Sequence, residues 1–485
     1  MASTSRHPAL GHFAILLLVA IVLRCDTFGD PNLHGDEVFY QTVGIAMHQG
    51  ALPYVDVWDR KPFGLFALYY LIAGISFTPL AYQLVATLFA AGTAAAIAAI
   101  ARRWTSAQGA LLAALCYLLW LAPLQGFGGQ SPVFYNLFIS LAALLALRAE
   151  PALREGRSPL GAALAMALAG LGITIKTTAL FEAGFLGLFC AWALWRSTAP
   201  RGLVVVTVLS WMAIGAAPSL LIAAGYWADG HWPEFWHAMV TSNVAKTPDV
   251  RSSIARFGIL LLLLSPFLLL AAVGLRALPQ EGRRFVLPWF AAALAGLVAV
   301  PNFYIHYAMP LLVPLCVAAA GFLGRSTGKL WTALIAALSF ILAMPFQFAH
   351  TRQSREAMTD LAQTVRAHLG GGRLLTYDGP SQLYLLTGQR FITPLVFPTH
   401  LSHATEKDVS HLSTLAETKR VLSLKPGAVV MAEPLRNGPV NEETHHLVLA
   451  YVGQHCRLIK AIPVPERLRT DAIVVWGDCK PAAPN

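Results

Sequence analysis

Apolar residues in this chain come in long blocks, not in the alternating or every-third-residue pattern of a soluble fold. Such blocks occupy about 10–24, 80–101, 109–124, 131–147, 159–175, 179–195, 202–224, 256–275, 285–300, 308–323 and 330–346. Roughly 20 apolar residues in a helix cross the hydrocarbon of a bilayer, and a helix satisfies its own backbone there. The pattern therefore predicts a polytopic α-helical membrane protein with about eleven transmembrane helices. The first block, in "MASTSRHPALGHFAILLLVAIVLRCD", has the basic start and apolar core of a signal peptide, but no small-x-small cleavage site follows. Arg24 also stands where a lipoprotein site needs a small residue. The block is expected to stay as an uncleaved first helix.

One further block, "GLFALYYLIAGISF" at 64–77, lies between Pro62 and Pro79 and is short for a span. Its length suits an interfacial or re-entrant segment. Placing it in the interface sets the parity of everything downstream. With the N-terminus cytoplasmic, the basic clusters "ARRW" (101–104), "LRAEPALREGR" (147–157), "WRSTAPR" (195–201), "EGRR" (281–284) and "GRSTGK" (324–329) all fall inside, as the positive-inside rule requires. If 64–77 spanned, all would fall outside. The outer face then collects 25–79, "QGFGGQSPVFY" (125–135), the turn at Lys176, 226–253 and "PNFYIHY" (301–307). Trp227, Trp232 and Trp236 give 226–253 the look of a stretch lying at headgroup level. No internal repeat is visible. Small-residue runs such as "AAGTAAAIAAIA" suit close helix packing in lipid.

Composition agrees. Of 485 residues 56% are hydrophobic and 12% charged, about half the charged share of a soluble domain. The net charge of +10 raises a nucleic-acid partner, but the basic residues sit in loops between apolar blocks, with no basic stripe carrying interleaved aromatics. No nucleic-acid binding is expected; membrane lipids are the expected surroundings.

After about 350 the chain reads as a soluble domain, giving limits of 1–349 for the transmembrane part and 350–485 for a small α/β domain outside the membrane. "RLLTYDG" and "GAVVMAEP" read as short buried strands; "EAMTDLAQTVRAHL" and "EETHHLVLAYVGQ" have helical spacing. Cys456 and Cys479 lie here and are either bridged, as an oxidising compartment permits, or free. Cys25, Cys116, Cys190 and Cys316 sit in or beside apolar blocks, where a thiol serves as a small packing residue.

Charges near a membrane are the first candidates for chemistry. The densest set is in the first outer loop: Asp30, Asp36, Glu37, Asp56, Asp59, Arg60 and Lys61. Lys176 in "GITIKTTALF" and His306 with Tyr307 in "NFYIHYAMPLLVPL" add to it. Carboxylates and cations on the outer face suit transfer of a sugar from a lipid phosphate: a carboxylate takes the proton of the acceptor hydroxyl, and cations stabilise the departing phosphate. A hydrolase would need two carboxylates flanking the bond. Structural roles compete at each position. Asp36 and Glu37 suit a helix cap, Asp56 and Asp59 suit turns, and Arg60, Lys61 and Lys176 suit interfacial anchors. His306 suits a hydrogen-bonded structural histidine. No His/Cys cluster with ligand spacing appears on the outer face, so no metal and no cofactor is expected; a divalent cation at Asp56 and Asp59 is an option the reading does not require.

The stretch "GDEVFYQTVGIAMHQGALPYVDVWDRKPFG" resembles the first periplasmic loop of the GT-C glycosyltransferases, nearest the bacterial protein O-mannosyltransferases and lipid A aminoarabinose transferases. Those carry an acidic pair after the first span, then a "G-x-x-P-Y-x-D" stretch and a "K-P-P" turn. Here these read "GALPYVD" (50–56) and "KPF" (61–63), with Phe63 replacing the second proline. "NFYIHYAMPLLVPL" (302–315) and "KTTALF" (176–181) are similar to later elements, so the likeness covers about 1–350. It implies a GT-C fold and an inverting glycosyltransferase of the cell inner membrane with a periplasmic active site. The donor would be a polyprenyl-phosphate sugar and the acceptor a lipid A or lipopolysaccharide, another glycolipid, a polysaccharide or a protein. Asp36 would be the catalytic base, supported by Glu37. Arg60, Lys61, Lys176, His306 and Tyr307 would hold the donor phosphate, and Asp56 and Asp59 would contact acceptor or metal. The rival readings are a polytopic transporter or lipid-carrier flippase, and an inactive relative serving as an assembly subunit. Transporters usually show repeats and mid-span polar residues; here polarity gathers at one face and no repeat is visible.

Overall fold

The computed structural model describes residues 7–245, 250–435 and 438–480; Arg6 of the basic start and residues 246–249 of the 226–253 segment lie outside them. The chain divides into two compact bodies. The first is made of Met1–Asp26, Leu84–Ile222 and Asp249–Phe346, the second of Thr27–Gln83, Ala223–Pro248 and Gln347–Asn485.

A helix covers each of the eleven predicted spans: His7–Arg24, Pro79–Ala101, Ala107–Trp120, Ser131–Arg154, Leu160–Ile175, Ala179–Trp195, Arg201–Ala228, Val250–Ala277, Gln280–Val298, Met309–Leu323 and Gly328–Ala343. Among the described residues six helical stretches are long and apolar enough to cross a membrane; Ala107–Trp120, Leu160–Ile175 and Ala179–Trp195 are apolar but shorter. The apolar stretch Ile305–Leu323 is 78% buried and forms the middle of the first body, whereas that of Arg201–Ala228 is 6% buried and shows its side chains outward. An apolar helix with so little cover suits lipid surroundings.

Helices of the first body pack by backbone contact. A Cβ at Gly274 would lie 2.2 Å from the carbonyl oxygen of Ala318, and one at Gly170 the same distance from that of Gly215. Only glycine permits such approaches. Buried polar groups are paired across helices: Trp120 Nε1–H donates to Leu263 O (2.9 Å) and Asn136 Nδ2 to Met309 O (3.2 Å). Arg24, buried at the end of the first helix, donates from its two terminal guanidinium nitrogens to the carbonyls of Gly126 and Gly128. This anchors the 125–135 loop.

In the second body the short block forms the helix Phe63–Ala73. Its eleven residues reach only about 16 Å, too short to span. The C-terminal part holds a four-stranded sheet of β1 (Leu374–Asp378), β2 (Ala428–Ala432), β3 (Arg457–Glu466) and β4 (Arg469–Gly477), in the order β1-β2-β4-β3. β1 and β2 are the two predicted strands. They pair in parallel, every residue buried. The antiparallel hairpin β3–β4 was not expected from the sequence. Pro463 and Pro465 break its strand pattern, and β3 tolerates them because it is an edge strand. Helices Phe348–Ala367 and Glu442–His455 fall on the two helical patterns. Cys456 and Cys479 are joined in a disulfide; Cys116, Cys190 and Cys316 are buried and Cys25 half-buried.

Candidate functional site

The outer-loop residues lie in the second body. There the start of the loop is tied down by hydrogen bonds across hundreds of residues. Arg355 donates to the carbonyls of Gly29 and Phe28, Ser354 Oγ donates to Asp30 Oδ1, and Gln382 Nε2 to Pro31 O. Asn32 Nδ2 donates to Pro465 O. From this base the chain turns into the helix Gly35–His48, capped by His34: the backbone at His34 is extended and its Nδ1 accepts the Asp36 N–H at 3.2 Å. The cap is thus histidine, and Asp36 and Glu37 fall in the first helical turn, where the helix dipole favours negative charge. Asp36 is half-buried; Glu37 is fully buried, beside Tyr69.

The loop from 50 to 62 returns a cation to Asp36. Asp56 is exposed, and its Oδ2 accepts the Leu52 N–H (2.7 Å), closing a tight turn. Tyr54 adopts a left-handed backbone conformation (φ 70°), and its hydroxyl donates to Lys61 O (2.8 Å). The Trp58 N–H donates to Pro394 O (2.9 Å). Asp59 Oδ1 accepts the Lys61 N–H (2.9 Å). So positioned, Lys61 Nζ lies 3.5 Å from Asp36 Oδ1, 3.7 Å from Asp59 Oδ1 and 5.3 Å from the centre of the Tyr40 ring. Arg60 turns away to pair with Glu406 at 2.9 Å. Phe63, where the resemblance has proline, opens the next helix after extended Pro62 and packs edge-on against Tyr226.

Two members of this cluster were not visible in the sequence, Glu406 and His400. His400 is fully buried among Trp58, Phe39 and Phe397, with Nε2 4.0 Å from Asp59 Oδ2. Burial pushes its pKa down to about 4, against the opposing pull of Asp59 and Glu406, so it is neutral at pH 7. Burial likewise pushes the Tyr40 hydroxyl well above its ordinary value. The arrangement offers a half-exposed carboxylate, an ammonium beside it and a phenol that stays protonated.

Lys176, His306 and Tyr307 lie in the first body. Lys176 ends the helix Leu160–Ile175 in an extended conformation and puts Nζ 4.3 Å above the Tyr307 ring. His306 and Tyr307 occupy a 3-10 turn at Ile305–Ala308, His306 between the rings of Tyr304 and Tyr307. Arg256 stacks on Tyr304 at 4.6 Å. Lys176 and Tyr307 line a pocket with Tyr135, Thr178 and Glu182, the rest of its wall being apolar, proline or glycine. Glu182 was also missed. A single carboxylate inside the apolar block 179–195 was the available signal.

No family model matches the sequence, and no curated protein matches it. Solved structures do resemble the fold. ArnT from Cupriavidus metallidurans bound to undecaprenyl phosphate superposes with a TM-score of 0.60 at 13% identity, over 97% of this chain and 98% of that one. The apo state of the same protein gives 0.60 at 14%, over 96% and 98%. Arabinofuranosyltransferase AftD from Mycobacteria gives 0.51 at 14%, over 99% of this chain and 40% of that longer one. With its apolar helices and this likeness along nearly its whole length, the chain is a multi-pass membrane protein with the GT-C fold.

Proposed function

We propose that this protein is an inverting glycosyltransferase of the inner membrane. It moves a sugar from a polyprenyl-phosphate carrier to an acceptor on the periplasmic side. The observation that carries the reading is the pairing of Asp36 with Lys61 at a helix start. The likeness to an ArnT structure holding undecaprenyl phosphate supports the donor class.

In this reading Asp36 accepts the proton of the acceptor hydroxyl as its oxygen attacks the anomeric carbon from the face opposite the carrier. The bond from that carbon to the phosphate oxygen breaks, and polyprenyl phosphate leaves with the electron pair. Lys61 stabilises the growing charge on the phosphate, held in place by Asp59 and by the Tyr54 bond to its own carbonyl. Within the first body, Lys176 stacked on Tyr307 is a cation suited to a lipid phosphate, and His306 orients Tyr307 by packing against it. Glu37, Asp59 and Arg60 are positioning residues: Glu37 and Asp59 are buried, and Arg60 is engaged with Glu406. Asp56 serves its turn.

The test uses membranes supplied with radiolabelled polyprenyl-phosphate sugars, following label as it leaves the carrier. Asp36→Asn is expected to express normally and transfer more slowly by about 100-fold or more, the usual worth of a general base. Lys61→Ala is expected to lower transfer as well. If Asp36→Asn transfers at the wild-type rate, the base is assigned wrongly. If no carrier-linked sugar in a broad panel reacts with wild type, the glycosyltransferase reading falls and a transporter moves ahead.

A further inference from the structure

The pocket in the first body holds a carboxylate that the mechanism above does not use. Glu182 stands in the first turn of the helix Ala179–Trp195 and is 3% exposed. Its Oε1 accepts the Trp289 Nε1–H at 2.8 Å, and its Oε2 makes no hydrogen bond among the described residues. A carboxylate offers about four acceptor positions, and the indole fills one. Were Glu182 there only to tie its helix to Gln280–Val298, a glutamine would accept the same indole hydrogen bond without placing an ionisable group among apolar helices. Ionisable groups at such depth mark sites of function.

The wall around it is matched to a ligand of two parts. Lys176 supplies a cation for an anionic group; Glu182 supplies an acceptor for a hydrogen-bond donor; Tyr135, Thr178 and Tyr307 supply hydroxyls. A bare phosphate would use the lysine alone. A phosphate carrying a hydroxylated or aminated group would use both. Resting on the glycosyltransferase reading, we propose that Glu182 is a specificity-determining residue. It accepts a hydrogen bond from a hydroxyl or ammonium of the donor's sugar while Lys176 holds the phosphate. Its bond to Trp289 aims the carboxylate. A donor lacking that hydroxyl or ammonium would leave Glu182 buried without its partner, which is how a polar pocket rejects analogues.

The test measures binding to the purified full chain in lipid nanodiscs. The probes are undecaprenyl phosphate alone, undecaprenyl phosphate carrying a neutral hexose, and undecaprenyl phosphate carrying an aminopentose. Glu182→Gln keeps an acceptor for Trp289. It is expected to bind the bare carrier as wild type does and to lose roughly 10- to 100-fold for the sugar-bearing carrier that wild type prefers, the worth of a hydrogen bond to a charged group. Lys176→Ala is expected to weaken binding of every carrier. A loss confined to the aminopentose carrier identifies an ammonium as the group read; a loss on the hexose carrier identifies a hydroxyl. Wild-type affinity of Glu182→Gln for all three carriers would overturn the proposal and leave the carboxylate as a tie to Trp289. An equal loss for bare and sugar-bearing carriers, with a lowered unfolding temperature shared by Trp289→Phe, would overturn it too. If wild type binds the bare carrier but no sugar-bearing one, the proposal fails. If it binds no carrier at all, the glycosyltransferase reading fails first.

Discussion

Asp36 sits in the first turn of a helix whose cap is His34, so its side chain is not consumed in ending the helix. Lys61 reaches it because Asp59 and Tyr54 hold the backbone at Lys61 from two sides. Behind them His400 is neutral, with a pKa of about 4 in the folded chain against about 6.5 in an unfolded one. Between those values the unfolded chain binds the proton and the folded chain does not. Stability contributed by neutral His400 is therefore complete above about pH 6.5 and lost as pH falls toward 4, by on the order of 3 kcal/mol. Unfolding midpoints measured across that range should fall for wild type. They should fall less for His400→Phe, which keeps a ring among Trp58, Phe39 and Phe397. The sequence singles out Asp36, Asp59 and Lys61 because charges cluster in one short loop. It is silent on His400 and Glu406, whose place beside them depends on the fold of a segment more than 300 residues away.

At the scale of elements, the apolar blocks are legible because burial in lipid demands length and hydrophobicity that little else in a sequence imitates. The hairpin β3–β4 is not legible, since its prolines and end charges are tolerated only once an edge position exists for them. Helix contacts are equally hidden: two glycines in Val250–Ala277 look alike, yet Gly274 lies against Ala318 while Gly258 has nothing within 4 Å. Gly274→Ala should lower stability by about 1–3 kcal/mol, the usual result of overpacking. Gly258→Ala should be close to neutral. Thermal unfolding in detergent compares the pair directly.

For the whole molecule, the proposed orientation puts residues 147–157 on the cytoplasmic side and the C-terminal part, with its Cys456–Cys479 disulfide, on the oxidising side. Alkaline phosphatase fused after residue 480 should be active, and fused within 147–157 inactive. Cys456→Ser with Cys479→Ser should lower stability by about 3 kcal/mol, the chain-entropy value for a loop of this size.

The ties from Arg355 to Gly29 and from Asn32 to Pro465 span 326 and 433 residues. Synthesis runs from the N-terminus, so Asp36 emerges long before Arg355 and Pro465, the partners of Gly29 and Asn32. Until the last strands have been made and folded, the nascent protein carries its helices without the ties that hold the loop around Asp36. A ribosome that stalls near residue 346 would leave a product lacking Arg355 and Pro465, the partners of Gly29 and Asn32. Completion of translation itself becomes the step that fixes Asp36 and Lys61 in place.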